Sequence, residues 1–158
     1  MSPTVRIYDR PTDRTEWDRL LASAPASHVL QSWAWGELKD RFGWRVQRVA
    51  VNSTLCQVLY RRLPAGLGSL AYVPKGPAVD LESDALPALL DALRPLNRRQ
   101  RAICLKVEPN QEDETSRVER LRALGFKPSP QTVQPRRTLM VDLDGDPEAV
   151  LARMKQKT

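Results

Sequence analysis

The side chains able to do chemistry are few and of restricted type. The chain has one histidine, His28, and two cysteines, Cys56 and Cys104, far apart in sequence. A zinc site needs three or four His, Cys or carboxylate ligands at short spacings, and none can be assembled here. A Ser-His-Asp arrangement would rest wholly on His28, which stands in Ala26-Ser27-His28-Val29-Leu30 with no nucleophile elbow nearby. No glycine-rich run ends in Lys-Ser or Lys-Thr, so there is no nucleotide phosphate loop. What remains is charge. Among 158 residues, 25 Lys and Arg stand against 19 Asp and Glu, a net +6. Split at residue 80, the halves carry 11 against 7 and 14 against 12, so the excess is spread along the chain. Such a balance favours anionic partners and names none; a basic solvated surface accounts for it equally well. Three places stand out by context: Lys39 four residues after Trp35, Lys75 in Lys75-Gly76-Pro77, and the cluster Arg98-Arg99-Gln100-Arg101.

The elements that must position these groups can be read from periodicity and punctuation. Val5 to Tyr8 alternates as a first strand. Thr12 or Asp13 can cap a helix that turns Trp17, Leu20 and Leu21 inward and ends at Ala24-Pro25. A second helix is predicted from about Ser32 to Phe42, with Gly43 as its C-terminal cap. Trp35, Leu38 and Phe42 fall at helical spacing and form its expected buried stripe, with Lys39 on the edge at a cleft rim. Arg45 to Val51 and Leu55 to Leu63 read as a hairpin through Asn52-Ser53, and Ser69 to Val73 as the next strand. Ser83 or Asp84 caps a helix carrying Leu86, Leu89, Leu90 and Leu93, which Pro95 should kink or end. The basic cluster then reads as a solvated helix end. Ala102 to Val107 is a strand, Val118, Leu121 and Leu124 lie on a helix capped by Gly125, and Arg137 to Leu143 is a strand. A last helix starts at Asp146-Pro147-Glu148, turns Val150, Leu151 and Met154 inward, and stops in mid-pattern at Lys157-Thr158. The native chain is expected to continue.

The order of these elements argues for a mixed-sheet α+β domain, three-layer and α/β/α-like. Apolar runs are broken within a few residues, as in Ala85 to Asp91, so no membrane span is expected. Met1-Ser2-Pro3-Thr4 lacks the basic and apolar regions of an export signal. Both cysteines read as buried thiols in a reducing cytoplasm, which is the expected location.

Five segments, in order, resemble the N-terminal half of the Fem-type (FemABX) peptidyltransferases. They are Leu30-Gln31-Ser32-Trp33-Ala34-Trp35-Gly36-Glu37-Leu38-Lys39, then Ala71-Tyr72-Val73-Pro74-Lys75-Gly76-Pro77, then Leu105-Lys106-Val107-Glu108-Pro109. Gln134-Pro135-Arg136-Arg137-Thr138-Leu139-Met140-Val141-Asp142-Leu143 and Met154-Lys155-Gln156-Lys157-Thr158 follow. The resemblance implies an acetyltransferase-like (GNAT-like) fold, a mixed and mainly antiparallel sheet flanked by helices. Leu121-Arg122-Ala123-Leu124-Gly125-Phe126-Lys127 resembles the helix-Gly-Phe ending of acetyltransferases. Residues 1–158 then form a single such domain, the N-terminal half of a two-domain enzyme whose C-terminal domain is missing.

The implied activity is transfer of an amino acid from aminoacyl-tRNA to the peptide stem of a peptidoglycan precursor, UDP-linked or lipid-linked, in building the cell-wall bridge. A lipid-linked acceptor would bring the enzyme to the inner face of the membrane. The ester is already activated, so the protein must hold two large anionic substrates in attack geometry, help the amine lose a proton and stabilise an oxyanion. Neither a metal nor a cofactor is called for. By the resemblance Lys39 matches the precursor-binding lysine that meets the diphosphate, and its place beside Trp35 lets it bury its stem and present its charge. Glu108 stands where the family often has an acid before Pro; it orients or deprotonates the amine, or merely caps a turn. Lys75 lines the precursor cleft or serves the turn, and Arg136 meets phosphates or ties two domains together. Where the resemblance leads one to expect an aromatic, five residues before Glu108, Ile103 stands.

Two other readings are open. A non-catalytic module of the same fold could recognise an anionic partner. An acetyl-CoA N-acetyltransferase would need a Gly-rich turn opening a helix, whereas Gly66-Leu67-Gly68 runs into the strand at Ser69.

Overall fold

Five strands form one sheet in chain order: β1 (Val5–Ile7), β2 (Arg45–Val51), β3 (Thr54–Arg62), β4 (Ser69–Pro74) and β5 (Ala102–Glu108). The computed structural model describes residues 3–138 and 142–154. Neighbours from β1 to β4 are antiparallel, and β4 and β5 are parallel. Parallel strands need a long crossover, and α3 (Ala85–Arg99) supplies it. Asn52, at the β2–β3 turn, takes a left-handed φ of 54° that Asn tolerates well.

Alternation along the strands sends side chains into two layers. Val49, Val51, Cys56, Val58, Ala71 and Val73 face α3 and its Leu89 and Leu93. Ala50 and Leu55 face the opposite side, where Trp17 and Leu21 of α1 (Arg14–Ala22) and Trp33 of α2 (Trp33–Arg41) cover them. β3 is buried from Thr54 to Tyr60, as a strand covered on both faces must be. The result is an α+β domain of three layers, with a mixed, mainly antiparallel sheet at its centre.

Several expectations need correction. Leu38 and Phe42 are 42% and 68% exposed, and Trp35 is half-buried. Helix α2 instead buries Trp33 and Gly36, because it lies so close to the sheet that the glycine rests on the Arg48 guanidinium and the Gln57 amide. Cys104 is exposed, since β5 is an edge strand; Cys56 is buried, and both thiols are free. Helix α3 runs through Pro95 to Arg99. Pro95 sits on its exposed side, and Asp91, whose carbonyl it leaves without its helical partner, is exposed too. Asp13 precedes α1 without capping it; its carboxylate accepts the Arg10 N–H instead. Of the strand expected over Arg137 to Leu143, Leu139 to Val141 lie outside the described residues, and those flanking them form no strand. In α5 (Pro147–Arg153), Val150 is only half-buried and Leu151 is 64% exposed; Met154, just beyond it, is 51% exposed, against the inward placement expected.

Candidate functional site

The last residues of β4 and β5, Pro74 and Glu108, are register partners. Lys75 therefore leaves the sheet beside Glu108, at the carboxyl ends of the parallel β4–β5 pair, the kind of position where open sheets bind ligands. The Glu108 carboxylate accepts from the Tyr72 hydroxyl at 2.6 Å and from the backbone N–H groups of Val133 and Gln134 at 2.7 and 3.0 Å. Burial pushes its pKa up. The hydrogen bonds from Tyr72, Val133 and Gln134, with the nearby Lys106 ammonium, outweigh that and hold it below the ordinary carboxyl value. Burial, and the bond to Glu108, push the Tyr72 phenol the other way.

This end of the sheet is tied to the segment before Arg136. Lys106 donates to Ser129 Oγ at 2.9 Å and to the Gln131 carbonyl at 2.5 Å, and Lys75 to the Pro135 carbonyl at 3.4 Å. Arg136 follows directly, with its side chain exposed. Three of the residues singled out in sequence, Lys75, Glu108 and Arg136, thus belong to one neighbourhood. A cavity of about 840 Å³ adjoins it, lined in part by Leu70, Cys104, Lys106, Phe126 and Val133.

Lys39 lies near the end of α2, the helix that covers the sheet face opposite α3. Its Nζ lies 4.7 Å from the centre of the Trp35 ring. Trp44, just after α2, donates its N–H to the Lys39 carbonyl, and its ring lies 6.3 Å from that of Tyr72. The Arg61 guanidinium is 5.4 Å from the Trp44 ring. The half-buried Trp44 ring therefore stands between the Arg61 guanidinium and the buried Tyr72, with Lys106 opposite Tyr72 on β5. This charge and surface suit a ligand with phosphate groups. Among the described residues, no group of three or more His, Cys, Asp and Glu is placed to hold a metal ion, and no helix is long and apolar enough to cross a membrane.

Tyr72, Trp44, Arg61, Lys106 and Gln31 were not singled out in the sequence. The β4–β5 register places Tyr72 and Lys106 opposite one another, and no local pattern encodes a register between strands 30 residues apart. Gln31 did carry a signal: it is a polar residue inside an otherwise apolar turn before a helix. Ile103 is 66% exposed on the edge strand, and the aromatic that meets Glu108 is Tyr72, from the neighbouring strand.

Gln31, in the first lysine-bearing segment, and Arg48, in β2, owe their identity to packing. Gln31 is fully buried; its Oε1 accepts the Gln57 N–H at 2.7 Å and its Nε2 donates to the Pro74 carbonyl at 2.8 Å. Arg48 lies 3.7 Å from the centre of the Trp33 ring and donates to the Trp33 carbonyl. Burial pushes its pKa down to about 10, so it stays charged at neutral pH.

Residues 12–128 match the FemAB family. This chain belongs to that family. It is 29% identical over 157 residues to the lipid II:glycine glycyltransferase of Staphylococcus aureus, an alignment covering 90% of this chain and 37% of that protein. The same protein from the strain N315 of that organism matches equally. A crystal structure of FemX superposes with a TM-score of 0.67 at 29% identity, covering 77% of this chain and 32% of that one. The chain thus spans about a third of the length of these FemAB relatives.

Proposed function

We propose that this chain is the precursor-binding, N-terminal half of a transferase that adds amino acids to the peptide stem of peptidoglycan precursors, with aminoacyl-tRNA as donor. The observation that carries the reading is its FemAB membership over residues 12–128, with Lys39 and Lys75 lying in two of the segments that resemble the family. The acceptor is a muropeptide carrying a diphosphate, whether linked to a nucleoside or to a lipid. The lipid-linked form is the one in the relative's name, and it would bring the enzyme to the inner membrane face.

In the reaction the acceptor amine attacks the ester carbonyl of the aminoacyl-tRNA. A C–N bond forms, the ester C–O bond breaks, and the ribose hydroxyl leaves with the proton the amine loses. In our reading Lys39, Lys75 and Arg136 hold the diphosphate, with the half-buried Trp44 ring beside it and the buried Tyr72 holding Glu108. Glu108 orients rather than abstracts. Its acceptor positions are occupied by protein donors and its pKa is depressed, so it is a weak base that fixes Gln134 and the segment leading to Arg136. A binding site for acetyl-CoA has less support: Gly66-Leu67-Gly68 leads into β4 and opens no helix.

Calorimetry tests the reading, with the chain titrated by the UDP-linked precursor and, in a second arm, by the lipid-linked precursor in detergent. Saturable binding of either, weakened by salt, is expected. Binding of neither, alongside tight binding of acetyl-CoA, would sink it.

A further inference from the structure

We infer that Gln31 is the positioning residue for Lys75: its buried amide grips the residues on both sides of that lysine and so fixes where the ammonium stands. The inference rests on the reading of Lys75 as a precursor-binding group. The β3–β4 ladder is paired from Arg62↔Ser69 only as far as Leu59↔Tyr72. Beyond that point the side-chain amide of Gln31 stands between the strands in place of a peptide group. It accepts from the Gln57 N–H and donates to the carbonyls of Gln57, at 3.3 Å, and Pro74. On its other side it presses on Gly76, where an added Cβ would lie 2.6 Å from Gln31 Cδ and 2.7 Å from Nε2. Lys75 is held between these two contacts, in a left-handed conformation with φ 45° that a lysine rarely adopts unforced.

Gln31 is itself fixed. Its carbonyl accepts the Trp17 indole N–H at 2.9 Å, and the Trp33 N–H two residues on donates to Asp18 at 2.8 Å. The side chain is specific to the task. Asn is too short to span the gap, Glu has no donor for Pro74, and Met fills the volume while leaving three backbone groups unpaired. The same clamp joins the Leu30–Lys39 segment to the Ala71–Pro77 segment, so the two lysine-bearing stretches are set relative to each other by one amide.

The experiment is a double-mutant cycle on the whole 158-residue chain, with the UDP-linked precursor as the probe. Lys75→Ala and Gln31→Met should each raise Kd about tenfold, the scale of one charge-assisted contact. The double variant should bind no worse than Lys75→Ala, and both single variants should lose the same salt dependence. Independent effects that multiply in the double variant would overturn the inference, as would wild-type affinity in Gln31→Met. A ligand-free readout accompanies the cycle: the ¹³C resonance of reductively methylated Lys75, assigned with Lys75→Arg. It should shift in Gln31→Met and in the folded Gly76→Ala variant, which displaces the amide from the other side; an unmoved resonance in both overturns the clamp. Should Lys75→Ala bind like wild type, the binding role of Lys75 fails, and the resonance alone decides whether Gln31 positions it.

Discussion

Glu108 has the acidity of a group stabilised as an anion, and that separates two roles a carboxylate can play beside an attacking amine. Its pKa is held below the ordinary value by Tyr72, by two backbone N–H groups and by Lys106, against the opposing effect of burial. The folded state therefore binds this proton more weakly than the unfolded chain does. The stability it contributes is complete above the ordinary carboxyl pKa and is lost as pH falls through the folded value. Glu108→Gln should cost about 1–2 kcal/mol at pH 7, the scale of a buried charged hydrogen bond weakened, and the gap in Tm from wild type should close in acid. In a full-length FemAB enzyme that carries this chain as its N-terminal part, the same variant should slow transfer by less than about tenfold, since removing a true general base costs about 10²–10⁴; a loss in that larger range would return Glu108 to the role of base. Lys39 makes a different prediction, because its ammonium rests on an indole and is open to a ligand. Lys39→Ala should weaken precursor binding by about 1–3 kcal/mol, as expected for a charged contact left unmade, and the loss should shrink at high salt. Unchanged affinity by calorimetry would leave Lys39 as a packing residue.

Helix α2 shows how an element can be found correctly and oriented wrongly. Ser32 caps it by accepting the Trp35 N–H, as the Ser-x-x pattern implies, yet its buried side holds Trp33 and Gly36 rather than the larger stripe of Trp35, Leu38 and Phe42. Helical spacing ranks faces by apolar bulk. Here the sheet below carries Arg48 and Gln57, and only a residue without a Cβ lets the helix approach them. A glycine inside a helix was the available signal, since one costs about 1 kcal/mol against alanine unless packing requires it. Gly36→Ala should therefore destabilise the protein by about 1–3 kcal/mol, the overpacking range, although alanine favours the helix; a rise in Tm would refute the close-approach argument. The strands were legible because alternation and the Asn52-Ser53 turn are local. The parallel β4–β5 register, and with it the partnership of Tyr72 and Glu108, was not, because it depends on how α3 returns the chain. The matching segments named Lys39, Lys75, Glu108 and Arg136 but not Gln31, whose role exists only where two strands part.

At the scale of the whole molecule, the sheet ends on β5 among the described residues. β5 is an edge strand, Ile103 and Cys104 on it are exposed, and the cavity of about 840 Å³ lies beside it. The chain aligns with 37% of the length of the staphylococcal relative. Aminoacyl transfer between two macromolecular substrates depends on holding both, and orientation of this kind contributes up to about 7–11 kcal/mol in well-aligned systems. Lys75, Lys106 and the segment leading to Arg136 gather at one end of the sheet, which suits one phosphate-bearing substrate; in our reading the remaining two thirds of a FemAB protein would hold the other. The 158-residue chain should accordingly bind the precursor and transfer nothing to it. The comparison is between this chain and a full-length FemAB enzyme that carries it as its N-terminal part, each given charged tRNA with a labelled amino acid and the same precursor. Label should reach the precursor only with the full-length enzyme, while calorimetry shows both proteins binding it, the chain more weakly. Turnover by the chain alone would mean that both substrates fit on this one domain and would refute its assignment as a binding half.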